Sequence, residues 1–170
     1  MSLRHVPGQF RRMSLEDFRL LRDVVYEHAG LVYDESALML FDRRLSERLE
    51  ALGLPNYQAY YKYLRFDARN HQEMEEAVER LTTKETYFFR QEYQLRAFQS
   101  ELLPRLEEAN ARTRRLLVWS AGCSTGEEAY TLAALILESS RFEGWDVRVI
   151  GTDLSKQSVA QARRGVYQAT

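Results

Sequence analysis

The sequence has 170 residues, of which 45% are hydrophobic and 12% aromatic, and this is typical of one folded domain or a pair of small ones. With only eight glycines and three prolines, it is neither collagen-like nor of low complexity. Its 24 lysines and arginines balance 25 aspartates and glutamates, and both halves of the chain carry nearly equal numbers of the two signs. An extended nucleic-acid-binding surface is therefore not expected.

The single cysteine, Cys123, excludes an intramolecular disulfide and a metal site built from cysteines. No apolar run approaches the roughly 20 residues of a membrane span, and the first residues lack the apolar core of a signal peptide. We therefore expect a cytoplasmic protein with no membrane insertion and no metal ion.

Residues 14–82 are predicted to form a helical domain after an N-terminal tail of residues 1–13. Apolar residues recur there at helical spacing in four stretches, each bounded by capping or helix-breaking residues. Ser14 and Asp17 match a capping box at the first start, and Gly30 supplies the first stop. The four predicted helices run from about 14 to 29, from Ser36 to Gly53, from Pro55 to about Leu64, and from Asn70 to about Leu81.

The second part of the chain changes character. Residues 83–115 are predicted to be a linker motif followed by a fifth helix, and Leu116–Trp119 is an apolar run typical of a parallel strand covered on both faces. A small-residue loop, Ser120–Gly126, then leads into a helix and a second strand, Val147–Gly151. This order predicts a βαβ unit. The expected fold class is mixed α/β: a helical bundle followed by the first part of a Rossmann-like sheet over residues 116–170.

The loop and the acid after the second strand are the first indication of chemistry. Gly122 and Gly126 carry no side chain that would keep a ligand from the backbone. Asp153 follows the second strand, where an acidic side chain accepts hydrogen bonds from ribose hydroxyls in nucleotide-binding sheets. The pair suggests an adenosyl-containing cofactor. Alternatively, the glycines only form a tight turn and Asp153 caps the next helix.

The loop departs from the dinucleotide pattern Gly-x-Gly-x-x-Gly, because three residues separate Gly122 from Gly126. Glu127 and Glu128 open the next helix, where a pyrophosphate would otherwise bind and would be repelled. Two carboxylates favour a cationic group instead, such as the ammonium and sulfonium of S-adenosyl-L-methionine (SAM). Alternatively, both acids only complement the helix dipole. These features disfavour a nucleotide-dependent oxidoreductase.

Longer motifs resemble the CheR family of chemotaxis receptor methyltransferases. Residues 82–90 read Thr-Thr-Lys-Glu-Thr-Tyr-Phe-Phe-Arg, and Trp119–Tyr130 follows about 30 residues later. Gly151–Ser155 and Ala162–Tyr167 are also similar to the family, and the resemblance covers nearly the whole chain from about residue 14. It implies a SAM-dependent enzyme that methylates glutamate side chains on the cytoplasmic helices of chemoreceptors, with S-adenosylhomocysteine as the product.

The resemblance also implies roles for single residues. Thr86 and Arg90 fall on cofactor-contacting positions, Glu128 on the acid that meets the methionine end, and Asp153 on the acid that holds the ribose. Lys84 stands where many members have Asn, so a cofactor contact there does not follow. With the loop glycines, the expected cofactor-binding residues are Thr86, Arg90, Gly122, Gly126, Glu128 and Asp153.

The implied chemistry needs no general base, because a receptor glutamate is already ionised at neutral pH. The protein has to align the reactants and exclude water. Arg90 is expected to position a carboxylate through paired hydrogen bonds, either the cofactor's or the substrate's. The alternative for Arg90 is a structural ion pair with Glu127.

The second helix is the family's receptor-facing element and carries several arginines. Arg43 can pair with Glu47 at i,i+4 spacing. Arg44 and Arg48 are therefore predicted to be the cations that are free to meet an acidic receptor helix.

Two strands are few for an open α/β sheet. We therefore expect the chain to be the front part of a larger methyltransferase, with a sheet edge open to association or a domain swap. The alternative is a non-catalytic SAM-binding or receptor-docking module of the same family.

Overall fold

The computed structural model describes residues 12–67 and 70–168. Of the predicted N-terminal tail, residues 1–11 lie outside this described part. The chain divides into two compact units, with the boundary between Thr82 and Thr83. The first unit contains α1 (Leu15–Ala29), α2 (Leu38–Leu52), α3 (Tyr57–Phe66) and α4 (Asn70–Leu81). The second contains α5 (Glu92–Ala97), α6 (Leu103–Asn110), β1 (Arg115–Ala121), α7 (Glu127–Glu138), β2 (Asp146–Thr152) and α8 (Lys156–Arg164). The predicted mixed α/β fold is confirmed.

Capping residues set the helix ends of the first unit. The predicted capping box is present, because the Ser14 hydroxyl accepts from the Asp17 amide and the Asp17 carboxylate accepts from the Ser14 amide. The second helix begins at Leu38 rather than at the predicted Ser36. A 3₁₀ turn at Glu35–Ala37, capped by the Asp34 carboxylate, precedes α2. Short polar side chains that bond nearby amides favour such a turn over a regular helix start.

The core of the first unit is apolar and aromatic. Phe18 and Phe41 are fully buried, and their rings meet edge to face with centroids 5.0 Å apart. The apolar stripes of all four helices contribute to this core, with Leu21, Val25, Leu45, Leu49, Leu64 and Leu81 nearly inaccessible to solvent. The helical periodicity in the sequence therefore identifies the buried faces correctly.

A buried ionic cluster joins three helices beside this core. Glu73 of α4 is 5% exposed and accepts hydrogen bonds from the Tyr60 hydroxyl of α3 (2.7 Å) and from Nε of Arg48 of α2 (3.0 Å). Burial, and then the negative charge of Glu73, raise the pKa of Tyr60. A carboxylate at this depth is tolerated because both of its partners donate to it.

The prediction that Arg44 and Arg48 are free cations is wrong. Arg48 is held by Glu73, and Arg44 donates from Nη1 to the backbone oxygens of Arg80 (2.5 Å) and Thr82 (2.9 Å), at the end of α4. Glu47 pairs with Arg80 at 2.7 Å rather than with Arg43. The i,i+4 spacing along α2 cannot predict these contacts, because the partners lie on or just after α4. The position of Arg44 is favourable because a cation near the C-terminal end of a helix interacts well with its free carbonyls.

The second unit contains the predicted βαβ unit. β1 and β2 pair in parallel, from Arg115 opposite Asp146 to Ala121 opposite Thr152, with α7 connecting them. Leu116 is buried beneath α6 and α7, but Leu117 and Trp119 are 65% and 67% exposed. Coverage on both faces is therefore not found in the described chain, because α6 and α7 pack on the face that carries Leu116 and the face with Leu117 and Trp119 stays exposed.

The fifth predicted helix is interrupted. A π-helical turn over Phe98–Leu102 separates α5 from α6. Pro104 at the start of α6 has no amide proton to continue a regular hydrogen-bond ladder, which accounts for the wider turn before it. In residues 12–67 and 70–168, no helix combines the length and apolarity needed to cross a membrane.

The buried cluster predicts the effect of Glu73→Ala. This change leaves the Arg48 guanidinium and the Tyr60 hydroxyl without their acceptor, so we expect the free energy of unfolding to fall by about 3 kcal/mol. Urea unfolding followed by far-UV circular dichroism measures it. Glu50→Ala, at an exposed position of α2, is the matched control and should change stability by less than about 0.5 kcal/mol. Equal effects of the two variants would contradict a stabilising role for the cluster.

Candidate functional site

The loop after β1 is fixed to the end of β2. The amides of Gly122 and Cys123 both donate to the Thr152 carbonyl, at 2.8 and 2.9 Å. Gly122 has φ +85°, and a methyl group added there would meet no atom within 4 Å. The backbone at Gly122 therefore borders open space that a ligand can enter.

Gly126 has a different environment. Its φ is +101°, and a methyl group there would lie 2.7 Å from the Tyr167 hydroxyl and 2.8 Å from Cβ of Ala162. The Tyr167 hydroxyl also donates to the Thr125 carbonyl at 2.6 Å. Gly126 thus makes room for α8 and the segment after it, which corrects the expectation that a ligand approaches the backbone at this glycine.

Asp153 connects the loop to α8. Its Oδ2 accepts from the Ser124 amide at 2.7 Å, and its Oδ1 accepts from the Ser155 amide at 2.8 Å. Ser155 is itself the N-cap of α8, because its hydroxyl accepts from the Ser158 amide. Ser155, not Asp153, therefore caps α8. The Asp153 carboxylate joins the loop to the residue before α8.

The two acids at the start of α7 differ. Glu127, in the first turn of α7, accepts from the hydroxyl of Thr125, two residues earlier in the loop, at 2.6 Å. Glu128 accepts through Oε1 from the Ser120 hydroxyl at 2.6 Å. Ser120 is buried in β1 and was missed by the sequence reasoning. A polar residue directly after the apolar run Leu116–Trp119 could have indicated it.

Arg90 lies between two residues in the left-handed region, Phe89 (φ 58°) and Gln91 (φ 62°). Its Nη1 donates to the Glu85 carbonyl at 2.8 Å, and its guanidinium lies 5.7 Å from the centre of the Tyr87 ring. Within the described residues no carboxylate pairs with it, so the alternative of an ion pair with Glu127 is not realised.

Lys84 contacts α8. Its ammonium donates to Oε1 of Gln157 at 3.1 Å, and its carbonyl accepts from the Ser124 hydroxyl at 3.2 Å. Both contacts hold the segment after Thr82 beside the loop and α8.

These segments surround a cavity of about 510 Å³. Of the expected cofactor-binding residues, five line it: Thr86, Arg90, Gly122, Glu128 and Asp153. Gly126 is not in the lining. Four apolar residues also line the cavity and form an apolar wall that the sequence does not predict: Leu95, Phe98, Leu102 and Leu132. In the sequence these residues have the helical spacing of ordinary core positions, so periodicity alone does not predict that they border a cavity.

Cys123 is buried below the loop. Burial, followed by the negative charges of Asp153, Glu128 and Glu127, raises the pKa of its thiol. A protonated, buried thiol is a poor nucleophile, so the structure gives Cys123 no chemical role. Among residues 12–67 and 70–168, no group of three or more histidine, cysteine, aspartate or glutamate side chains could hold a metal ion.

Comparison with known families gives two matches in chain order. Residues 16–82 match the family described as "CheR methyltransferase, all-alpha domain". Residues 84–170 match "CheR methyltransferase, SAM binding domain". Together the two matches include both structural units.

Curated proteins give the same indication. The chain is 33% identical to a chemotaxis protein methyltransferase of Borreliella burgdorferi, over 88% of this chain and 53% of that protein. It is 32% identical to chemotaxis protein methyltransferase 2 of Vibrio cholerae, over 90% of this chain and 53% of that protein. For the chemotaxis protein methyltransferase of Escherichia coli, the identity is 31% over 92% of this chain and 53% of that protein. The chain spans about half the length of the curated relatives it matches.

The contrast between the two loop glycines predicts unequal effects of alanine. Gly126→Ala adds a methyl group against Ala162 and Tyr167 at positive φ, so we expect a loss of about 2–4 kcal/mol in unfolding free energy. In Gly122→Ala the positive φ is the only unfavourable factor, so we expect the unfolding free energy to fall by about 1–2 kcal/mol. Tryptophan fluorescence during urea unfolding reports on this unit, because Trp119 and Trp145 both belong to it. A larger loss at Gly122 would contradict this assignment.

Proposed function

The chain belongs to the CheR methyltransferase family, and from this premise we propose that it takes part in the SAM-dependent methylation of glutamate side chains on chemoreceptor cytoplasmic helices. The matched SAM-binding domain indicates S-adenosyl-L-methionine as the cofactor. The observation that carries the proposal is the cavity, where Arg90, Glu128 and Asp153 come together from three segments of the chain.

The chemistry of the lining fits SAM better than a nucleotide phosphate. Three acidic residues, Glu85, Glu128 and Asp153, line a cavity whose lining contains one guanidinium, that of Arg90. A pyrophosphate would meet net repulsion there, whereas SAM carries an ammonium, a sulfonium and a carboxylate. The open space beside Gly122 and the apolar wall leave room for the uncharged parts of the molecule.

The acids retain acceptor capacity for a ligand. Each oxygen of Asp153 already accepts one backbone amide, and a carboxylate oxygen has about two acceptor positions. Asp153 can therefore still accept from ribose hydroxyls. Glu128 uses Oε1 for Ser120, which leaves Oε2 for the α-ammonium.

Arg90 is proposed to bind the carboxylate at the same end of the cofactor. It has no acidic partner among the described residues, and it lines the same cavity as Glu128. A guanidinium and a carboxylate together complement the zwitterionic amino-acid end of SAM. Through this contact Arg90 positions the cofactor.

When bound, the cofactor supplies an activated methyl group. The residues of the chain contribute binding, orientation and partial exclusion of water, and no side chain has to remove a proton, because the accepting glutamate is ionised at neutral pH. The apolar wall of α5 and the π-helical turn, with Leu95, Phe98 and Leu102, favours a dry site.

The receptor-facing cation of α2 is proposed to be Arg43, since Arg44 and Arg48 are engaged within the first unit. Arg43 is exposed, and Met39, one turn earlier, is 79% exposed. Together they offer a cationic and apolar surface to an acidic receptor helix. A substrate of this kind places the proposed activity in signal transduction in the cytoplasm.

The role of Asp153 predicts that Asp153→Ala weakens S-adenosylhomocysteine binding about 10- to 100-fold, the range expected for lost hydrogen bonds to a charged group. Isothermal titration calorimetry measures the affinity. Asp146→Ala, at the other end of β2, where its carboxylate pairs with Arg148 at 3.1 Å, is the control and should bind as the unaltered chain does. Unchanged affinity in Asp153→Ala would refute the ribose assignment.

Incubation with tritiated SAM and receptor cytoplasmic fragments tests the activity itself. We expect base-labile methyl esters on the fragments, and fewer of them with Arg43→Glu at limiting fragment concentration, while this variant's affinity for S-adenosylhomocysteine stays the same. Cofactor binding without transferred label would instead favour the non-catalytic module.

A further inference from the structure

A strained turn precedes Arg90. Phe89 has φ 58°, a conformation in which an aromatic side chain is sterically disfavoured and which persists only where surrounding contacts hold it. On the other side of Arg90, Gln91 at φ 62° starts α5, with its carbonyl accepting from the Gln94 amide at 2.8 Å. The direction of the Arg90 side chain therefore depends on what holds the Phe89 backbone.

One contact to that backbone comes from α7. The Phe89 amide donates to Oγ1 of Thr131 at 3.2 Å, and Thr131 is 2% exposed. The Thr131 hydroxyl donates its own proton to the Glu127 carbonyl at 2.7 Å, one turn earlier in the helix. This second bond uses the only proton of the hydroxyl, so its oxygen is left as an acceptor for the Phe89 amide.

A threonine hydroxyl that bonds only to a carbonyl of its own helix is common, and such a hydroxyl does not accept from a distant amide. Here the two bonded residues, Phe89 and Thr131, are 42 positions apart in the sequence. Thr131 also lines the cavity together with Thr86 and Arg90. One buried hydroxyl thus joins the segment that carries Arg90 to the helix that carries Glu128.

We infer that Thr131 is a positioning residue for cofactor binding. Its hydroxyl holds the left-handed turn at Phe89 and so keeps the Arg90 side chain in the lining of the cavity. Without this acceptor, the Phe89 backbone relaxes toward negative φ and turns the peptide that leads to Arg90. The inference rests on the proposed function, because it assigns Arg90 to the carboxylate of SAM.

The test compares Thr131→Val, which keeps the shape but has no hydroxyl, with Thr131→Ser, which keeps the hydroxyl. In the full chain, we expect the valine variant to bind S-adenosylhomocysteine about tenfold more weakly and the serine variant to bind within about twofold of the unaltered chain. In the ligand-free protein, exchange of the Phe89 amide should be faster in the valine variant only. If the valine variant does not fold, Thr131→Ala removes the same hydroxyl without adding a methyl group.

A double-mutant cycle separates positioning from general destabilisation. If Thr131 acts through Arg90, then Thr131→Val should cost little further affinity once Arg90→Ala is present. Ser139→Ala, at the residue that caps the end of α7, is the matched control, since its hydroxyl donates to the Ile136 carbonyl at 2.7 Å and accepts from the Arg141 amide at 3.4 Å. Ser139 does not line the cavity, so this variant should bind normally.

The outcomes are distinguishable. Normal binding by Thr131→Val, or an equal loss with and without Arg90, overturns the inference and leaves the proposed function intact. Absence of S-adenosylhomocysteine binding by the unaltered chain contradicts the proposed function and with it this inference.

Discussion

The second unit depends on the Asp153 carboxylate, which accepts from the amides of Ser124 in the loop and Ser155 before α8. Parallel pairing alone fixes β1 against β2 only as far as Ala121 and Thr152. Beyond the strands, the amides of Gly122 and Cys123 bond to the Thr152 carbonyl, and Asp153 holds the next residue of the loop, Ser124. Charge-assisted bonds to backbone amides are among the stronger hydrogen bonds in proteins. The same side chain lines the cavity, so the group that organises the loop is also the one proposed to bind the ribose.

The binding site combines stabilising contacts with local strain. Phe89 and Gln91 adopt left-handed conformations that cost of order 1–3 kcal/mol each, and such strain tends to occur at functional sites. The Phe89 backbone is held by the buried hydroxyl of Thr131, and Gln91 is held as the first residue before α5. The result is a guanidinium without an acidic partner in the described chain, at a cavity that three acidic residues also line.

Local physical rules account for much of what the sequence predicts. Helical spacing, capping residues and the strand–loop–helix order identify the elements and the buried faces, because these depend on neighbours within a few positions. The errors involve distant partners. Arg48 meets Glu73 and Arg44 meets the end of α4 across more than 20 residues, and periodicity along α2 contains no information about either contact.

The site shows the same division. The loop pattern predicts that Gly122 and Asp153 belong together, but it does not separate Gly122, beside open space, from Gly126, which is filled by Tyr167 and Ala162. The resemblance to a known family connects Thr86 and Arg90 to the loop. The roles of Thr131 and the apolar wall required the structure, because they depend on which side of a helix faces the cavity. The contact between Ser120 and Glu128 required it because it joins a strand to a helix.

All the proposed cofactor-binding residues that line the cavity belong to the second unit, so cofactor binding should leave the first unit unchanged. A nitrogen–proton correlation NMR titration of the chain with S-adenosylhomocysteine tests it most directly. We expect chemical shift changes concentrated at the amides of Thr86, Arg90, Gly122, Glu128 and Asp153, with little change over residues 12–67. Absence of changes at these positions, or changes concentrated in the helices of the first unit, would contradict the claim.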